Sequence, residues 1–264
     1  MQLKIFFLLF VVLIMFVTHE KIYASSDQIL VTISPSMEQV IFDGKWTNTL
    51  EWKQSSHNQI EYDDQIVIHI RTAHFNEYMY VFVDYISNNQ SNNSLNKSTI
   101  CLDGKNNKNN IPDADDFCFS VSLGEKQGEI FQGNNKTSNM IKISNPSDFI
   151  AISNISDEND RYSTIPHPSF EFKIPIKLIE RSDNYGFYLY VYDADSNIFY
   201  SWPQDLSNEN MSRTSSPNTW GNIISPDKSL PEFNTPIIIF IMMILFIILA
   251  QQSSKLKILR RFQT

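Results

Sequence analysis

The chain has 264 residues, a formal net charge of −8, seven glycines and two cysteines. Between its two apolar ends, residues 25–235 keep 15 basic and 28 acidic side chains, a net charge of −13 that repels phosphate backbones and argues against nucleic acid as a partner. Roughly two hundred residues suffice for one sizeable domain, and the sequence holds no HExxH spacing, Gly-rich phosphate loop or nucleophile pattern, so no enzymatic role is expected.

The first element is KIFFLLFVVLIMFV, a lysine followed by an apolar core and, further on, the small residues Ala24 and Ser25. This predicts a signal peptide over residues 1–24; His19, Glu20 and Lys21 leave an uncleaved anchor as the alternative. ILVTI (residues 29–33) reads as a strand, and VIFDGKWTNTLEW (residues 40–52) turns at Asp43-Gly44 and brackets a polar segment with Trp46 and Trp52. Residues 53–64 are polar enough to be a loop. IVIHIR (residues 66–71) alternates, with Ile66, Ile68 and Ile70 inward and His69 and Arg71 outward. After a turn at Asn76-Glu77, residues 79–85 form a continuous apolar and aromatic run, the pattern of a strand buried on both faces.

The polar arm over residues 88–98 has no apolar periodicity and is expected to be an exposed loop. It carries three N-x-S/T sequons, at Asn89, Asn92 and Asn96, and others follow at Asn135, Asn154 and Asn210. Next comes an acidic, Asn-rich loop closed by Cys101 and Cys118. In an exported chain with no other cysteine, these two predict an intrachain disulfide. Inside the loop Asp103, Asp113, Asp115 and Asp116, with Asn106, Asn107 and Asn109, supply hard oxygen donors of the type calcium takes. The spacing fails the EF-hand pattern, because Lys105 and Ala114 fall where ligands belong. Structural calcium is the sharper reading and a solvated acidic loop the plainer one.

Beyond the loop FCFSVSL alternates, with Phe117, Phe119 and Val121 on one face. Shorter strands are expected around residues 129–131, 140–143 and 149–153. FEFKIPIKLIE (residues 170–180) places Phe170, Phe172 and Ile174 on one face, then breaks at Pro175 into a short helical turn. YGFYLYVYDADSNIFYSW predicts two strands, residues 187–193 and 197–202. In the first, Tyr188, Tyr190 and Tyr192 share one face and Phe187, Leu189 and Val191 the other.

Aromatic faces stack on the C–H faces of sugars, so the three tyrosines are a candidate carbohydrate platform; the plainer reading is a strand between two apolar layers. Trp46, Trp52, Trp202 and Trp220 are further stacking candidates. Trp220, set among Ser, Pro, Asn and Gly, is expected to be the most exposed. The histidines show no metal-ligand spacing. A His69/His74 pair meeting across a turn would suit haem, but solvated strand and loop histidines are the ordinary reading and haem is disfavoured. Short strands with regular turn signals predict an all-β fold, a single antiparallel β-sandwich over residues 25–206.

After a polar linker, residues 207–235, the run PIIIFIMMILFIILA (residues 236–250) precedes Lys255, Lys257, Arg260 and Arg261. Its fifteen residues span roughly 22 Å as a helix, short of a ~30 Å hydrocarbon core. Uncharged residues 251–254 and snorkelling lysines extend it to a transmembrane anchor over residues 236–254. The basic tail, residues 255–264, stays in the cytoplasm, so the body lies outside the cell. Pro231-Glu232-Phe233 before this run resembles archaeal PEF-type C-terminal sorting signals, departing from them at Asn234, where such signals usually carry Gly.

The order DGxW…EW (Asp43, Gly44, Trp46, Glu51, Trp52), YMYVFVDYIS, CLDGKNN…DADDFCF, FEFKIPI and YGFYLYVYDADSNIFYSWP spans residues 41–203. It resembles the family 9 carbohydrate-binding modules and their DOMON-like relatives, in particular the versions on archaeal surface proteins. The resemblance implies a jelly-roll-like sandwich that binds a sugar or, in some DOMON branches, haem. The expected function is therefore a non-catalytic, membrane-anchored extracellular domain that binds carbohydrate or a cell-envelope component. A haem-binding electron-transfer module and a structural coat protein are the alternatives.

Overall fold

The computed structural model describes residues 28–62, 66–87, 93–204 and 215–226. The expected signal peptide, membrane anchor and basic tail lie outside them, and among the described residues no helix is long and apolar enough to cross a membrane. In chain order the strands are β1 (Gln28–Leu30), β2 (Thr32–Ile33), β3 (Ser56–Glu61), β4 (Val67–Phe75), β5 (Tyr78–Ile86), β6 (Lys97–Asp103), β7 (Asp116–Ser122), β8 (Glu129–Gln132), β9 (Ile141–Ile143), β10 (Ile150–Ile155), β11 (Pro168–Pro175), β12 (Asn184–Asp193), β13 (Ile198–Trp202) and β14 (Gly221–Ile224). One helical turn, α1 (Ile176–Ile179), follows Pro175 as expected.

The strands form two sheets. The first runs β1-β14-β12-β6-β7-β8-β9, with β13 sharing the β14 edge of β12; the second runs β10-β11-β5-β4-β2, with β3 sharing the β2 edge of β4. Alternation drives their association, because every second side chain of a strand points to the same face. Ile68, Ile70, Val81, Val83, Phe170 and Phe172 from one sheet meet Ile100, Leu102, Phe117, Phe119, Phe187 and Leu189 from the other in one buried core.

Most pairing is antiparallel, but the N-terminal segment departs from that expectation. β1 pairs parallel with β14 in the first sheet, and β2 pairs parallel with β4 in the second. Val31, between them, is buried where the chain crosses from one sheet to the other.

The continuous run in β5 is explained by two apolar layers. Met79, Val81, Val83 and Tyr85 enter the inter-sheet core, while Tyr80 and Phe82 lie under a second cluster built by Met37, Trp46 and Trp52. Trp52 stacks on Phe82 at 5.4 Å between ring centroids, and Trp46 meets Phe82 edge-on at 5.9 Å. Buried Glu171 on β11 holds this covering segment. Its carboxylate accepts the amides of Asp43 (3.0 Å) and Gly44 (2.8 Å) and the Trp52 indole N–H (3.0 Å). Glu51 accepts the amides of Ile41 and Thr47. Gly44 is required at its turn: φ is 86°, and a Cβ there would stand 2.4 Å from the Ser153 carbonyl carbon.

Three expectations are corrected. Residues 53–64 are not all loop, since β3 pairs with β4 from Ser56↔Thr72 to Glu61↔Val67. Residues 221–224, assigned to the linker, form β14 between β1 and β12. His69 and Arg71 do lie on the outer face of their sheet but are buried there, with Arg71 over the ring of Trp46 and donating to the Tyr162 hydroxyl.

Candidate functional site

The disulfide forms as expected. Cys101 and Cys118 face each other directly across β6 and β7, with Cα atoms 4.0 Å apart. They lie on the outer face of the first sheet, beneath Tyr188 and Trp220. Tyr188 and Trp220 stack nearly parallel, 15° between planes at 6.3 Å. Both are buried, which corrects the expectation that Trp220 is exposed. Contacts remote in sequence cover it: Lys108 donates to the carbonyls of Trp220 and Gly221 at 2.7 Å, and the Asn218 amide donates to the Asn109 carbonyl.

The tyrosine stripe is where alternation placed it, opposite Phe187, Leu189 and Val191, which enter the core. Tyr188 is consumed by packing, but Tyr190 and Tyr192 are half-buried at the surface with Phe199. Phe199 lies 5.5 Å from the ring of Tyr190 and 4.6 Å from that of Tyr192. In register beside them stand Thr99 and Ser120, whose hydroxyls share a 2.6 Å hydrogen bond, and Lys97 and Ser122. Burial raises the Tyr190 pKa against the opposing hydrogen bond with Thr99, so the phenol is neutral. Trp202 instead points inward, 5.8 Å from Phe187, and Trp46 and Trp52 belong to the covering segment, so none of these three offers a face to a ligand.

The acidic loop is folded around its own carboxylates. Those of Asp103 accept the amides of Asn107 and Lys108. Asp113 accepts from the Asp115 amide and from the side-chain amides of Asn107 and Asn109. Asp115 accepts both the amide and the ammonium of Lys105. Asp116 Oδ2 accepts the Asp113 amide at 2.6 Å, while its Oδ1 is buried without a partner. Burial, opposed by that amide and reinforced by the charges of Asp103, Asp113 and Asp115, lifts Asp116 to about 7. The four aspartates are therefore buried, not solvated. Of the sequons, Asn135 and Asn154 are exposed, whereas Asn96 is fully buried with its side-chain oxygen accepting the Ala194 amide at 2.8 Å. Asn89, Asn92 and Asn210 lie outside the described residues.

On the outer face of the second sheet the structure assembles a group that sequence reasoning left apart. Asp84 of β5 and Asp160 and His167 of the β10–β11 connection are all buried. His167 Nε2 lies 2.7 Å from Asp84 Oδ1 and 3.9 Å from Asp160 Oδ1. Burial raises Asp84 to about 6 in spite of His167; for His167 burial works downward but is outweighed by the Asp84 hydrogen bond and charge, giving about 9. The available signals were Asp84, the one charge within an apolar strand, and a histidine between two prolines. His69 and His74 do not meet, since five residues along one strand puts them on opposite faces; His69 stacks on Tyr162 and His74 bonds Ser225.

A shallow groove of about 420 Å³ lies elsewhere, lined by Pro35, Ser36, Glu38, Gln39, Leu50, Lys53 and Gln54, without an aromatic side chain.

No protein-family model matches the sequence, and no curated protein matches it. Similar solved structures include a family 9 carbohydrate-binding module from Caldicellulosiruptor kristjanssonii in complex with glucose, at 14% identity and a TM-score of 0.49, covering 75% of this chain and 95% of that one. Another is a family 9 module from the same organism in complex with cellotriose, at 13% identity and a TM-score of 0.45, covering 75% and 93%.

Proposed function

We propose that this chain is a non-catalytic, extracellular carbohydrate-binding domain tethered to the cell membrane by residues 236–254. The observation that carries the reading is the partly buried group of Tyr190, Tyr192 and Phe199 at the outer face of the first sheet, bordered by Lys97 and Ser122. Rings held rigid by a sheet present apolar faces at little entropic cost, and hydroxyls and an ammonium beside them supply the polar contacts that orient a sugar. The tether and its orientation rest on the apolar run and the basic tail of the sequence. The full-length chain, purified in detergent and applied to a glycan array, is expected to bind a defined set of glycans. The double variant Tyr190→Ala/Tyr192→Ala is expected to lose that binding while keeping its circular dichroism spectrum. Absence of binding across the array, or unchanged binding by the folded double variant, would overturn the proposal.

A further inference from the structure

We infer that Asp84, Asp160 and His167 form a buried binding site for one divalent first-row transition-metal ion that fastens the β10–β11 connection to β5. One donor atom from each residue lies within 4.8 Å of the others, and among the described residues this is the one such cluster of three His, Cys, Asp or Glu side chains.

Beyond the His167–Asp84 pair, the hydrogen-bond inventory leaves two buried carboxylate oxygens able to take a cation. His167 Nδ1 lies 2.6 Å from the Ile165 carbonyl, which can only accept, so Nδ1 carries a proton and Nε2 is the nitrogen turned toward the two aspartates. A backbone carbonyl at Nδ1 is the usual device that orients a metal-ligating imidazole. Oδ2 of Asp84 and Oδ2 of Asp160 are both buried with no hydrogen-bond partner. Buried carboxylate oxygens are rarely left this way, because each keeps its desolvation cost uncompensated. Among the described residues no lysine or arginine pairs with either carboxylate. Binding an ion releases to solvent the Nε2 proton that Asp84 holds on His167, and two carboxylates with the resulting neutral imidazole around a divalent ion make a neutral site.

The donor set chooses the class of ion. Calcium and magnesium take oxygen ligands only, whereas zinc and its neighbours accept one imidazole nitrogen with carboxylate oxygens. The surroundings close the site from water. Asp160 Oδ1 also accepts the amides of Tyr162 and Ser163, and the Tyr162 ring stacks 3.7 Å from His69, which stands directly opposite Asp84 on β4.

The test uses the full-length chain in detergent, stripped with chelator, re-equilibrated with zinc and passed through a desalting column before elemental analysis. One equivalent of zinc is expected to remain. The melting midpoint should rise by roughly 5–10 °C at a hundredfold excess over Kd. Asp160→Asn keeps an oxygen for the Tyr162 and Ser163 amides but removes the charge, and should retain no zinc and show no shift. His57→Gln controls for zinc held by the neighbouring His57–His69 pair, whose ring nitrogens lie 3.0 Å apart, and should bind as the parent does. A parent chain that holds no zinc and melts alike with chelator and with zinc would overturn the assignment. So would zinc retained by Asp160→Asn or lost in His57→Gln.

Discussion

Replacing Asp116 by Asn should stabilise the protein at neutral and alkaline pH and leave it unchanged in acid. The side chain is fully buried, one oxygen accepts the Asp113 amide, and the other has no partner. Three further aspartates of the same loop face it, and its pKa stands at about 7, chiefly through burial. In the unfolded chain the carboxyl loses its proton near ~3.9. Between these values the folded state holds a proton that the unfolded state has released, so this group makes stability fall as pH rises from about 4 to about 7. The rise sets a ceiling of about 4 kcal/mol at ~1.4 kcal/mol per pH unit, and relaxation of the loop should reduce the gain to ~2 kcal/mol. Asparagine keeps the acceptor for the Asp113 amide and puts an uncharged NH2 in place of the orphan oxygen. Thermal melts at pH 8 should show the variant roughly 4–8 °C above the parent, and melts at pH 4 should coincide. A variant no more stable at pH 8, or a gain that persists at pH 4, would refute the argument that an unpaired buried charge is responsible.

Other consequences are equally specific. With the loop's carboxylates already accepting amide hydrogens, melts in chelator and in millimolar calcium should superpose for the parent chain; a rise of several degrees with calcium would instead make calcium the loop's organiser. Cys101→Ala/Cys118→Ala should lose about 3 kcal/mol through loop-closure entropy, read as a lower melting midpoint, and reduction of the parent should match it. Trp220→Ala removes a buried aromatic from the disulfide and Tyr188, and should cost about 3–5 kcal/mol; a cost below 1 kcal/mol would mean that the segment before β14 is not packed as described. In a glycosylating host, peptide mass spectrometry should find Asn135 and Asn154 modified and Asn96 bare, since Asn96 is buried and hydrogen-bonded to Ala194.

Local pattern and tertiary environment account for different parts of this protein. The double-sided burial of β5, the inward and outward faces of β12 and the pairing of Cys101 with Cys118 were legible because each depends on alternation or on a lack of other partners. β3 was not legible. SHNQIE has one buried apolar residue, Ile60, and the strand is held by backbone pairing to β4 and by His57 against His69. Trp220 was misplaced for a related reason. Its neighbours in sequence are polar, but those that bury it, Tyr188 and Lys108, come from other parts of the chain. The Asp84, Asp160 and His167 cluster depends on the connection between β10 and β11 folding back over β5, which no periodicity in the sequence encodes.

Hydroxyl-radical footprinting of the full-length chain with and without a bound glycan tests the central claim most directly. Protection confined to the peptides that carry Tyr190, Tyr192 and Phe199 is the predicted result. Protection that spares those peptides and falls on the groove between Pro35 and Gln54 would contradict it.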